Sequence, residues 1–354
     1  MLRGGLDGLS AVVPHSDGRY HDSRRATAVT GTASLGDGFG LHPGLAPLLP
    51  FYEAGQLAPI VGVGSTVTSR SHFDQQAVLD HGIGDAGISD AGWLARHLRS
   101  VHGESVLRAM SSGSRRSLAL RGAPQATPIR SLEQFGVAAI PEARAEAVHG
   151  ALVASAGSGR FGQAAREAVA LLDVTAGAVR DPSEGTHYAD TAWARSFRDV
   201  ASLIRAGIGL EAAVVDFGGW DTHAFQGNAE SGPLGRLLGD LGSGLAAFLT
   251  DLGPHLETTT VAVVTEFGRR VEENASGGTD HGRAGVAFVA GGGILGGRVL
   301  GDWPGLAPDD LDDGDVRVTT DVRDVLAEIV SRRIGNPDLA GVFPGLKPRP
   351  VGFA

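Results

Sequence analysis

Apolar runs and amphipathic stretches alternate along most of the chain, and their spacing predicts a series of strands and helices. "GLHPGLAPLLPFYEAGQ" (40–56) places leucines and Phe51 on one helical face, and "LAPIVGVGS" (57–65) reads as a buried strand. "SHFDQQAVLDHG" (71–82) opens on a Ser-x-x-Asp cap and continues as a helix. "DTAWARSFRDVASLIRAGIG" (190–209) and "GPLGRLLGDLGSGLAAFLTDLGPHL" (232–256) are amphipathic helices, each followed by an apolar strand, "EAAVVDFGG" and "TTTVAVVTEFGR". "AGVAFVAGGG" (284–293) is a further buried strand, and "TTDVRDVLAEIVSRRIG" (319–335) is the last helix. Alternation of this kind, with strands apolar throughout, predicts an α/β fold: a mostly parallel sheet with helices on both faces. Residues 100–185 break the rhythm with weak periodicity and scattered Pro and Gly, and are expected to form an inserted or cap subdomain. The acidic "DDLDDGD" (309–315) reads as a solvated loop that does not match a calcium loop.

Composition narrows the classes. With 354 residues, 42% hydrophobic and 20% charged, the chain can bury a large core, as one big α/β domain or as two smaller ones. The net charge of −10 supplies no basic face, so a nucleic-acid partner is not expected. There is no cysteine, which excludes disulfides, thiolate metal sites and thiol nucleophiles. No apolar run is long enough to span a membrane. "MLRGGLDGLS" opens in what reads as the end of a strand, which leaves the true N-terminus open. The 54 glycines, about twice ordinary usage, gather after apolar runs, where backbone must turn sharply or approach a ligand closely.

Ligands of open α/β sheets bind beyond the carboxyl ends of the strands, so the polar residues that follow each apolar run are the candidates. They are Asp7 after the first strand, and Ser65, Ser69, Arg70, Ser71 and His72 after the strand at 57–63. Asp221 and His223 follow the strand at 212–217, and Glu266, Arg269, Asp280 and His281 follow the strand at 260–265. In extended backbone, residues i and i+2 point the same way, so Asp221 and His223 can share one cation. A capped turn is the competing explanation for that pair, as it is for "TDHG". Mixed carboxylate and imidazole ligands suit a divalent metal, zinc first, with Mn, Mg or Fe as alternatives. Ser71 is a helix N-cap, and the same position would let a metal-activated hydroxyl attack a group held in the helix dipole, with Arg70 clamping the oxyanion. "GGGILGG" lacks a following helix and a ribose acid, so a dinucleotide site is a poor reading.

The ordered motifs "LRGGLDGLSAVVP", "SRSHFDQQ", "VVDFGGWDTHAFQ", "VVTEFGRRVEENASGGTDHG" and "GGRVLGDWPGL" resemble the bacterial family called domain of unknown function 1501. The resemblance runs nearly end to end and is weakest from about 100 to 185. That family is grouped with the alkaline phosphatase and sulfatase superfamily, and its members often carry a twin-arginine export signal. The resemblance implies a doubly wound sheet with metals at the strand ends, and a periplasmic or secreted home, with the cytoplasm as the alternative. By position, Asp7 resembles the first-strand metal aspartate, and the 65–72 segment resembles the nucleophile turn. Asp221 and His223 resemble the mid-chain metal pair, and His281 the last metal histidine. "TEFGR" departs from the superfamily pattern: Glu266 stands for the acid and Phe267 for a histidine, which leaves one metal position either missing or completed by His72 or Asp280. The sulfatase nucleophile signature is absent, with Thr66 in its place.

The reading that follows is a metal-dependent hydrolase of phosphate or sulfate esters, acting on a small-molecule or polymer ester. Asp7, Asp221, His223, Asp280 and His281, with His72, would hold one or two cations. Ser71 would attack, Arg70 and Arg269 would steady the developing charge, and Glu266 would orient water or a ligand. The rival is a non-catalytic exported protein that keeps the scaffold to bind a glycan or a protein, which the Phe267 departure favours. Oligomeric state stays open.

Overall fold

In the computed structural model of the chain, the residues described are 1–85, 89–135, 147–148, 150–151, 153–155, 160–178, 182–229 and 231–354. Leu57–Gly64 is buried at every position, as its unbroken apolar run requires. It pairs with Gly285–Gly291 from Ala290↔Leu57 to Gly285↔Val63, and on its other side with Thr320–Asp321. Gly285–Gly291 also pairs with Thr260–Val263. A second, all-parallel group places Ala109–Ser112 between Ala126–Ile129 and Ala212–Val214. Leu2–Arg3 stands between the two groups, parallel to Phe217–Gly218 and bridged in parallel to Thr265.

The chain is therefore a mixed α/β protein with parallel and mixed sheets. Gly285–Gly291 runs antiparallel to both of its neighbours, while the pairings of Leu2–Arg3, Ala109–Ser112 and Thr320–Asp321 are parallel. An apolar run records burial on two faces and says nothing of direction.

Alternation along that strand feeds two cores. Val286, Phe288 and Ala290 join Trp193 and Phe197 of the helix Ala192–Arg205, and Leu238 and Phe248 of the helix Pro233–Leu252. Ala287 and Val289 join Leu94 and Leu98 of Trp93–Ser100, and Val325 and Leu326 of Val322–Glu328. Truncating a fully buried ring such as Phe288 to alanine costs about 3–5 kcal/mol in such a setting.

Two expectations are corrected, for the run 40–56 and for the acidic segment. The helix predicted over 40–56 divides into the strand Phe39–Leu41, a 3-10 turn Pro43–Leu48 and a short helix Leu49–Glu53. Pro43, Pro47 and Pro50 remove the amides a long helix needs. The weakly periodic region carries the strands Ala109–Ser112 and Ala126–Ile129 and the helix Arg160–Ala176; residues 136–146 and several others within it lie outside the described set. The acidic segment is not wholly solvated: Leu311–Asp312 pairs with Asp315–Val316, and buried Asp315 accepts from Arg70 Nε and Nη2 at 3.0 and 2.6 Å. Among the described residues, no helix is long and apolar enough to cross a membrane.

Candidate metal centre

Three chain exits supply the site. Beyond Phe217–Gly218 the backbone passes fully buried Trp220 into Asp221–Thr222–His223. Thr222 turns inward, donating to Gln226 Oε1 at 2.8 Å, so its neighbours face outward. Beyond Thr260–Val263 the chain reaches Glu266 and folds back as a hairpin, with Arg270 N donating to Asp280 O at 3.0 Å and Gly282 N to Gly268 O at 2.9 Å. That return delivers Asp280 and His281. Beyond Leu57–Gly64 a short loop leads to the helix His72–His81, whose N-cap Ser71 accepts from Asp74 N at 3.5 Å. His72 is thus the first residue of a helix.

The three imidazoles converge on one carboxylate. Asp221 Oδ1 lies 3.1 Å from His223 Nε2 and 3.2 Å from His281 Nε2, and Asp221 Oδ2 lies 3.5 Å from His72 Nε2. The Nε2 atoms of His223 and His281 are 2.8 Å apart. His72, Asp221 and His281 offer ligand atoms that all lie within 4.8 Å of one another.

Each ring's other nitrogen is committed elsewhere. His281 Nδ1 donates to the Arg70 carbonyl at 2.9 Å, His223 Nδ1 to Asp280 Oδ1 at 2.9 Å, and His72 Nδ1 to Glu266 Oε1 at 2.8 Å. Carbonyl and carboxylate oxygens can only accept, so these partners assign the hydrogen to Nδ1 in all three rings. Every Nε2 is left as a lone pair aimed into the cluster. His72 Nε2 is buried and has no hydrogen-bond partner. Lone pairs in van der Waals contact repel unless a cation lies among them, and this outer shell of acceptors is the usual support of metal-ligating histidines.

The charges fit the same ligand. Burial opposes ionisation of Asp221, but the hydrogen bond and the charge of Arg269 hold its carboxyl at about 2. Burial likewise opposes ionisation of Glu266; Gln76 Nε2 at 2.9 Å, His72 and the Gly4 amide at 2.8 Å outweigh it and lower the pKa. Hydrogen bonds from His223 and from Asn274 lower Asp280. Burial lowers His281 below the ordinary imidazole value, over the opposing pull of Asp221. The carboxylates of Asp221, Glu266 and Asp280 against the single guanidinium of Arg269 leave a formal charge of −2 among these four groups, matched to a divalent cation. Three nitrogens and a carboxylate oxygen suit zinc best.

Other sequence candidates lie outside this inner group. Asp7 is sealed in a buried pair with Arg24: Nη1 meets Oδ2, and Nη2 meets Oδ1 at 3.0 Å. Ser10 Oγ at 2.7 Å and Gln226 Nε2 at 2.6 Å complete its shell. Asp7 is joined to the site only indirectly, through Gln226, whose Oε1 accepts from Thr222 and from Thr279 Oγ1 at 2.7 Å. Glu266 and Asp280 orient histidines. Arg269 is buried with its donors spent on carbonyls of Gly4, Gly5, Trp220 and Thr279 and on Asp221 Oδ1 at 2.7 Å. Arg70 is turned to Asp315 and, at 3.4 Å, to Asp313. The Ser71 hydroxyl caps its helix, Ser69 Oγ donates to Asp74 Oδ2 at 2.6 Å, and Ser65 Oγ accepts from Val67 N at 3.0 Å. Phe267 walls the cluster, its ring 4.7 Å from those of both His72 and His281. Sequence reasoning did not single out Gln76, Gln226, Asn274 or Arg24. Polar residues in loops and helices carry no periodic signal, although Gln76 stands inside "SHFDQQ".

The fold and the cluster together define a mixed α/β protein with a histidine–aspartate site at converging strand exits. The chain belongs to the family described as "Protein of unknown function (DUF1501)", which matches residues 1–333. No curated protein and no solved structure matches it.

Proposed function

We propose that the protein is a metal-dependent hydrolase of phosphate or sulfate esters, built on a doubly wound, alkaline phosphatase-like scaffold. The observation that carries this reading is the convergence of three Nε2 lone pairs on Asp221, each ring held by its Nδ1 hydrogen bond. His72, Asp221, His223 and His281 would hold the cation. Structural zinc sites are closed, whereas these side chains are 25%, 47%, 43% and 22% exposed, so an ester can reach the centre. A divalent cation there would polarise an ester oxygen and lower the pKa of a nucleophilic water or hydroxyl. The chain's own part is to keep the ligands rigid, through Glu266, Asp280 and the Arg70 carbonyl, and to place Ser71 beside His72 at a helix N-terminus where an anionic ester oxygen is favoured. Arg269 acts by positioning Asp221 and not by touching the ester, because its donors are taken. The phosphate or sulfate class and a periplasmic or secreted home rest on the family resemblance.

Elemental analysis of purified protein followed by a panel of nitrophenyl phosphate, phosphodiester and sulfate tests the reading. Bound zinc or manganese and turnover on one ester are expected, with His281→Ala losing both the metal and at least about 100-fold in rate. Metal-free protein that stays inert with added zinc or manganese would overturn it, in favour of a binding protein on the same scaffold, where Phe267 fills a ligand position.

A further inference from the structure

Among the described residues, the two most exposed large apolar side chains are Phe73, 88% exposed, and Phe225, 83% exposed. Both stand on chain exits that build the histidine cluster. Phe73 directly follows His72 in the first turn of His72–His81, and Phe225 lies two residues beyond His223. Two residues of chain span at most about 7 Å, so each ring is rooted beside a site histidine. The His281 ring lies between, 4.4 Å from the ring of His72 and 4.5 Å from that of His223. One exposed phenylalanine therefore accompanies each outer histidine of the cluster.

Folding accounts for neither ring. The neighbours of Phe73 are all committed: His72 to Glu266 Oε1, Asp74 to Ser69 and the Ser71 cap, Gln75 to the Val67 and Ser69 carbonyls at 2.8 and 2.6 Å, and Gln76 to Glu266 Oε1 at 2.9 Å. Phe73 alone in that turn is left to solvent. Phe225 has φ of +48°, a left-handed backbone that a bulky residue rarely adopts. It is fastened there, with Phe225 N donating to Ser276 O at 3.0 Å and Gln226 N to Gly277 O at 2.9 Å. Glycine would take that conformation freely, so the phenyl ring is present despite the backbone and gains no burial in return.

We propose that Phe73 and Phe225 are specificity-determining residues that bind the organic half of the ester, and that this half carries a flat ring with an apolar face, aryl or sugar. The proposal rests on the ester-hydrolase reading for the anionic half, which the cation would hold. Each phenylalanine stands in open solvent and offers a face, not a walled pocket. A ring laid on such a face makes contact across its whole area. A flexible alkyl chain has no flat surface to match and must be ordered before it can bind. The short distance from each phenylalanine to its histidine confines recognition to the group nearest the ester bond.

The test uses three phosphonates, whose carbon–phosphorus bond is not hydrolysed: naphthylmethylphosphonate, glucosylmethylphosphonate and ethylphosphonate. Each is titrated calorimetrically into the full chain in the presence of zinc. At least one ring compound is expected to bind about tenfold more tightly than ethylphosphonate, and Phe73→Ala and Phe225→Ala are each expected to cut that preference about fivefold. Leu295→Ala, at an exposed apolar residue whose amide bonds Phe353 O, is the control and leaves the preference intact. A preference confined to the naphthyl compound assigns an aryl group, one confined to the glucosyl compound a sugar, and one shared by both either ring. Phe225→Gly separates recognition from structure: its Tm is expected to equal or exceed the parent's while the preference falls. A lower Tm would make that ring structural and overturn its part in the proposal. No preference for either ring compound, or a preference that survives both alanine variants, overturns the whole. Because the phosphonates are not turned over, these readouts stand apart from hydrolysis. An inert ester panel with phenylalanine-dependent ring binding removes the hydrolase and leaves the two rings as a binding site; turnover without ring preference does the reverse.

Discussion

Asp7 and Arg24 form a buried ion pair whose partners lie 17 positions apart. Burial alone would push the Asp7 carboxyl up, but Arg24, Ser10 and Gln226 together bring it below the ordinary carboxylate value. A depressed carboxyl contributes stability above its unfolded pKa of about 4, and that contribution is lost as pH falls through the lower folded value. Asp7→Asn leaves the Arg24 charge buried and unpaired, so it is expected to cost about 3–5 kcal/mol at neutral pH. Urea unfolding should also show a flatter decline in acid than the parent chain. Equal stability at pH 7 would contradict this account. The same pair shows the limit of reading residues from order alone. Asp7 follows a strand and so stands among the metal candidates, yet nothing in the sequence marks Arg24 as its partner. Asp221 and His223 were legible because spacing of two along extended backbone is a geometric statement in itself.

At the scale of elements, the hairpin from Gly268 to Gly282 is what brings His281 to His223. It fits because Gly278 lies against the His223 backbone: a Cβ there would sit 2.3 Å from His223 C. Gly278→Ala is expected to displace His223 and weaken zinc binding by about 10–100-fold, measured by competition with a chromophoric chelator. Gly277→Ala is the control. Its φ of +65° makes alanine strained, but open space surrounds it, so stability should fall by about 1 kcal/mol with zinc affinity unchanged. Equal affinities in the two variants would separate the hairpin from the site. The strands Leu57–Gly64 and Gly285–Gly291 could be read from sequence because burial on two faces writes an unbroken apolar run. Ala109–Ser112 and Ala126–Ile129 could not, being four residues each with serine, threonine and proline among them. Direction was equally hidden, since backbone pairing leaves no mark on side-chain type.

For the whole molecule, a ligand that binds only the folded state adds stability by mass action. Zinc at about 100 times its dissociation constant adds about 2.7 kcal/mol. Tm is expected to rise on titration with zinc, to return with a chelator, and not to respond in His281→Ala. A flat thermal response in the parent chain would remove the cation from the site. The net charge of −10 favours cation capture and disfavours polyanions, so no retention on a heparin column is expected at moderate salt. One feature reaches further than its local contacts. Arg269 ties together the carbonyls of Gly4, Gly5, Trp220 and Thr279, which come from three distant stretches of chain. Those stretches meet in the folded chain, so gathering the proposed ligands is expected to require all three in place. Uptake of the proposed metal should therefore lag behind refolding, followed by zinc-dependent Tm against the recovery of native signal, and report its final step instead of nucleating it.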